Sequence, residues 1–243
     1  MRHFLSGWLA AAALAVAAPA AAQEVDLELV LLADASGSID RDEILFQRRG
    51  YAEAIVDPAV LRAIAETAYG SIAVTYVEWA AADSQGVVVP WTVIAGAESA
   101  ARFAEALMEP PRMAYGRNAI GSALLAGKRL IEENDIDGWR KVIDFSGDSA
   151  NNYSGPPISA AREEVLAAGM TINALAIRCR FCSGRAGGGA DLERLYEDRI
   201  IGGPGAFVVT ADGMDSFADA VRRKLILEIS GPSGRHGPAI AAR

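Results

Sequence analysis

The residues able to do chemistry gather in two short stretches, Asp34-Ala35-Ser36-Gly37-Ser38 and Ser146-Gly147-Asp148-Ser149. A compact turn can aim carboxylates and hydroxyls at alternate positions toward one point, and hard divalent cations such as Mg²⁺ take oxygen ligands in a tight octahedron. Asp, Ser and Gly also form turns, and Asp40 ahead of an amphipathic segment would cap a helix. A polar strand-to-helix turn therefore accounts for the first stretch equally well. Asn118 is a third candidate, in the loop Tyr115-Gly116-Arg117-Asn118-Ala119-Ile120-Gly121, where it would either offer an oxygen or serve as N-cap of the following helix.

These residues need elements that deliver them to one place. Leu29 to Ala33 is an unbroken apolar run, as expected of a strand buried on both faces, and it empties into Asp34. Residues 140–145 do the same for Ser146 to Ser149. Further strands are predicted over 71–80, 86–94, 170–177 and 205–210, the first two close enough for an antiparallel pair. Helices are predicted over 40–56, 60–68, 99–108, 119–133, 158–168, 191–199 and 214–228. Alternating strands and helices imply an α/β, doubly wound, mostly parallel open sheet with helices on both faces, and such sheets bind ligands outside the carboxyl ends of their strands. Glu78, inside a strand, reads as a paired or partly exposed acid, and Asp144 as pointing away from the site.

Composition narrows the function classes. Residues 1–22 carry Arg2 and His3, then an Ala/Leu/Val-rich run and Ala20-Ala21-Ala22, which reads as a secretory signal peptide too short in its apolar part to anchor. Its removal leaves 22 basic and 31 acidic residues, a net charge of about −9 that disfavours nucleic acid and anionic membrane as partners. The remaining histidine, His236, lies in a Gly/Pro-rich tail, which weakens any mechanism that needs an imidazole. Cys179 and Cys182 are the only cysteines, and in an oxidising compartment a local disulfide is expected of them.

Asp34-Ala35-Ser36-Gly37-Ser38, at the end of a buried first strand, resembles the Asp-x-Ser-x-Ser signature of the von Willebrand factor type A domain, whose metal-ion-dependent adhesion site binds Mg²⁺ or Mn²⁺. Asp148 matches the last acidic residue of that site. Asn118 stands where the family usually has a threonine before an Ala-Ile-Gly or Asp-Ile-Gly sequence. The resemblance covers about residues 25–229. The forms Tyr76-Val77-Glu78-Trp79-Ala80 and Ser146-Gly147-Asp148 look most like an exported bacterial branch of the family known as a domain of unknown function. What the resemblance implies is a Rossmann-like sheet with one antiparallel edge strand and a domain over 23–229, while the Gly-, Pro-, Ala- and Arg-rich composition of 230–243 predicts a disordered tail.

The expected function is that of an exported, periplasmic or secreted, metal-dependent protein-binding module without catalysis. Asp34, Ser36, Ser38, Asn118 and Asp148 are its metal residues, with Mg²⁺ or Mn²⁺ as the ion and an acidic side chain of an unknown protein as the partner group. The alternative is a Mg²⁺-dependent hydrolase or phosphoryl-transfer enzyme on the same oxygen cluster. Against it stand Ala35 and Ser36 where a carboxylate nucleophile and a second acid are needed, and the lack of a Gly-x-x-x-x-Gly-Lys loop.

Overall fold

In chain order the elements are β1 (Gln23–Asp34), α1 (Arg41–Ile55), α2 (Pro58–Ala65), β2 (Ile72–Trp79), β3 (Gln85–Ile94), α3 (Ala97–Met108), α4 (Ile120–Glu132), β4 (Ile136–Gly147), α5 (Ile158–Ala167), β5 (Thr171–Ile177), α6 (Leu192–Arg199), β6 (Val208–Ala211) and α7 (Met214–Ser230). They come from a computed structural model that describes residues 22–178 and 191–231. The Cys179–Cys182 pair, residues 1–21 of the signal peptide and the tail from Pro232 lie outside the described residues.

The strands form one sheet in the order β3-β2-β1-β4-β5-β6, parallel throughout except that β3 runs antiparallel to β2 at the edge. This is the predicted doubly wound architecture. Alternation along β1 shows why a continuous apolar run was needed. Leu27, Leu29, Leu31 and Ala33 face a core closed by α1, α2, α3 and α7, while Val30 and Leu32 face a second core under α4, α5 and α6. β4 begins before its apolar run because Gln23, Glu24 and Val25 give Ile136, Asp137 and Gly138 a parallel partner.

Local chemistry sets the helix starts nearest the site. Asp40 accepts the amides of Asp42 and Glu43 while the Glu43 carboxylate takes the Asp40 amide, a complete capping box that starts α1 directly after the Asp34 loop. From β1 the chain crosses to β2 and β3 on one side, then returns to place β4 on the other. Strand order thus reverses between β1 and β4, and the loops that follow Asp34 and Gly147 flank that crevice.

Candidate metal centre

Asp34 is fully buried at the end of β1. Its Oδ1 accepts the Ser36 amide at 2.7 Å, which bends the chain into a turn, and its Oδ2 is buried with no hydrogen-bond partner among the described residues. The turn brings the Ser36 and Ser38 hydroxyls within 3.2 Å of each other, one buried and one exposed. From the end of β4, Asp148 reaches the same place: Ser38 acts on its carboxyl and its charge acts on Asp34. Burial first, and the Asp148 charge second, push Asp34 up to about 7, and burial raises Asp148 as well. The two carboxylates thus sit together beside two neutral hydroxyls, and among the described residues neither is ion-paired to a Lys or Arg.

Asn118 joins this group from the loop ahead of α4, but it does not cap that helix. Ala119 occupies the cap position without a side-chain bond, and the free Gly121 amide is taken by Asn152 Oδ1 at 3.1 Å. Asn118 Nδ2 instead donates to Ser149 Oγ at 3.3 Å, next to Asp148. The N-cap expectation fails because a loop distant in sequence supplies the acceptor, leaving the Asn118 amide for the crevice. Asp34, Ser36, Ser38 and Asp148 lie together at the ends of β1 and β4, with Asn118 at their side.

Glu78 and Asp144 are elsewhere. Glu78 is buried, with Oε1 paired to the Arg48 guanidinium at 2.6 Å and Oε2 accepting the Met113 amide at 2.6 Å, so it is a paired acid but not an exposed one. Asp144 lies inside β4 and faces α7, 2.8 Å from Lys224.

Several residues that hold the site gave no signal in the sequence. Arg48 also donates to the carbonyls of Leu107, Pro110 and Pro111, which ties the segment after α3 to the sheet. From that segment Arg112 donates to the carbonyls of Ala35, Ser36, Ile39 and Ala114, clamping the loop that carries both serines. Gln47 holds the Asp34 carbonyl at 3.0 Å, and Tyr196 donates to the Ser149 carbonyl at 3.1 Å. Gly116 adopts φ +113° and accepts the Gly37 amide at 2.8 Å, a conformation only glycine takes freely. An arginine after two prolines is the one visible cue, and it does not say which loop the arginine reaches.

The residues fit a divalent cation on three counts. A buried carboxylate oxygen lacks a donor; two hydroxyls and a second carboxylate stand beside it; and a Cβ at Gly147 would come within 3.1 Å of Asp34 Oδ2, so this glycine keeps the space beside that oxygen open. Among the described residues no three His, Cys, Asp or Glu side chains converge as zinc or calcium cages usually require. The donor set suits an ion that accepts hydroxyls and waters alongside few carboxylates.

A family model described as "Protein of unknown function (DUF1194)" matches residues 24–233. No curated protein matches the chain. Solved structures do share its fold. The PilB minor pilin from Streptococcus sanguinis gives a TM-score of 0.59 at 14% identity, over 88% of this chain and 65% of that one. The pilus adhesin SpaC from Lactobacillus rhamnosus GG gives 0.58 at 12%, over 84% and 30%. Proximal thread matrix protein 1 from the mussel byssus, with a zinc-occupied MIDAS motif, gives 0.55 at 18%, over 87% and 50%. The chain therefore spans between about a third and two thirds of each of these proteins. At such identities the likeness establishes the von Willebrand factor A-like fold.

Proposed function

Because the chain belongs to the family described as protein of unknown function DUF1194 and has a von Willebrand factor A-like fold, we propose that it is an exported protein-binding module whose binding face is a metal-ion-dependent adhesion site. Ser36 and Ser38 contact the cation directly, Asp34 and Asp148 balance its charge directly or through water, and Asn118 is a fifth contributor. Mg²⁺ or Mn²⁺ is the expected ion. The Cys179–Cys182 disulfide belongs to the same reading, as a feature of an exported chain.

The observation that carries the proposal is the unpartnered, buried Oδ2 of Asp34 at the switch point of the sheet, next to Asp148 and two neutral hydroxyls. A cation bound there supplies an electron-poor open position that can accept a carboxylate from a partner. The chain's own residues bind and orient: the Arg112 clamp fixes the serine loop, and Gln47 and Tyr196 hold the backbone on either side of the crevice. No chemical step follows from this arrangement. Adhesin neighbours and a byssus thread protein on the same fold support a role in protein association.

Thermal melting of the mature domain in Mg²⁺ or Mn²⁺ and in chelator tests it. At ten times its dissociation constant the ion should add about 1.4 kcal/mol, which for a domain of this size raises the melting temperature by roughly 3 to 6 °C. Ser38→Ala and Asp34→Ala should remove the increment. An equal increment in both variants would sink the site assignment.

A further inference from the structure

The two loops beside the candidate metal centre carry the exposed aromatic residues Tyr115 and Tyr153, 61% and 52% exposed, with Met113, two residues before Tyr115, at 40%. They are tied to the site by backbone. The Tyr153 amide donates to the Asn118 carbonyl at 2.7 Å, and Gly116, between Tyr115 and Arg117, accepts the Gly37 amide. Between the tyrosines stands Arg117, exposed, with its guanidinium stacked 3.7 Å over the Tyr153 ring. Among the described residues no carboxylate lies within ion-pair distance of Arg117, whereas Arg112, 5.0 Å from the Tyr115 ring, is committed to backbone carbonyls. In a chain with net charge −8, a cation left free beside a cation site marks the charge a partner must bring.

We infer that Tyr115, Arg117 and Tyr153 form a second recognition point for an acidic peptide segment of a protein partner, Arg117 taking a carboxylate additional to the one at the metal. The inference rests on the metal-dependent binding proposed above. A guanidinium stacked on an aromatic ring keeps its N–H edge free for a bidentate carboxylate, and the stack orders the side chain before the partner arrives. Tyrosines add rigid contact area for apolar side chains flanking the acids, at low entropic cost. The complementary segment therefore carries two acidic residues close in sequence with an apolar neighbour.

The test uses the mature protein and an array of synthetic decapeptides. Each has one fixed Asp, a second position scanned as Asp, Ser or Lys, and a flanking Phe or Gly, and each is probed in Mg²⁺ and in chelator. Peptides with two acids should bind about tenfold more tightly in Mg²⁺ than those with one, as a charge-assisted hydrogen-bond pair warrants. Arg117→Glu should cancel that preference and favour Lys at the second position, while keeping the wild-type melting increment with Mg²⁺. An unchanged peptide ranking in Arg117→Glu, with binding still metal-dependent, overturns this inference and leaves the metal reading standing. Binding that is equal in Mg²⁺ and chelator overturns both. A metal-dependent dimer in sedimentation that Tyr153→Ala dissolves would assign the rim to a second copy of the chain and overturn the acidic peptide.

Discussion

Replacing Glu228 with glutamine should raise stability at pH 8 and flatten its dependence on pH. Beneath α7, Lys224 donates to Glu228 and lies 2.8 Å from Asp144, and Asn173 donates to Glu228 at 3.2 Å, all four residues being buried. One ammonium thus faces two carboxylates, and Glu228 Oε2 has no hydrogen-bond partner. Burial, then the Asp144 charge, push Glu228 up to about 7 from 4.5, and burial raises Asp144 too. A carboxyl raised on folding holds its proton more tightly in the folded chain. The stability this lends is full below pH 4.5 and is lost as pH rises through about 7. That interval corresponds to about 3 kcal/mol, or roughly 6 to 12 °C in melting temperature. Glutamine is neutral and similar in size, and it leaves Lys224 and Asp144 as a balanced pair. Melts from pH 5 to 8 in chelator, where Asp34 and Asp148 titrate alike in both proteins, should converge at the acid end and separate in the variant's favour at pH 8. Parallel curves would refute the proton held on buried Glu228.

Arg112→Lys should destabilise the domain by about 3 kcal/mol, because a single ammonium cannot replace a guanidinium bonded to four carbonyls. It should also weaken Mn²⁺ binding in calorimetry by loosening the serine loop, and wild-type values for both would show that the clamp is dispensable. Gly147→Ala places a methyl 3.0 Å from Tyr196 Oη and 3.1 Å from Asp34 Oδ2. It should cost about 1 to 3 kcal/mol in urea melts and erase the Mg²⁺ increment in melting temperature, and an intact increment would mean that the cation does not use the space beside Asp34.

The layer architecture was legible because its signals are local and repeated. The apolar run ahead of Asp34, the cap residue Asp40 and the short link between β2 and β3 each fixed an element without reference to the rest. That Asp34, Ser36, Ser38 and Asp148 lie near one another was legible because strand ends carry them, and the sheet's reversal of order brings strand ends together. What holds them was not. Arg112 reaches carbonyls more than seventy positions away, Asn152 caps a helix that starts 32 residues before it, and Arg48 reaches from α1 to Glu78 on β2. Bonds from side chains to backbone leave no pattern of residue types on the acceptor side, so Asn118 read equally as a cap or an oxygen donor, and Glu78 as paired or partly exposed, until the loops were in place.

Diffraction from crystals of the mature domain soaked in Mn²⁺, with anomalous difference maps at the manganese edge, tests the central claim most directly. The account predicts one strong peak bounded by the hydroxyls of Ser36 and Ser38 and the side chains of Asp34, Asn118 and Asp148, absent from crystals of Asp34→Ala. No peak in that crevice at saturating Mn²⁺, or a peak that survives the substitution unchanged, would contradict it.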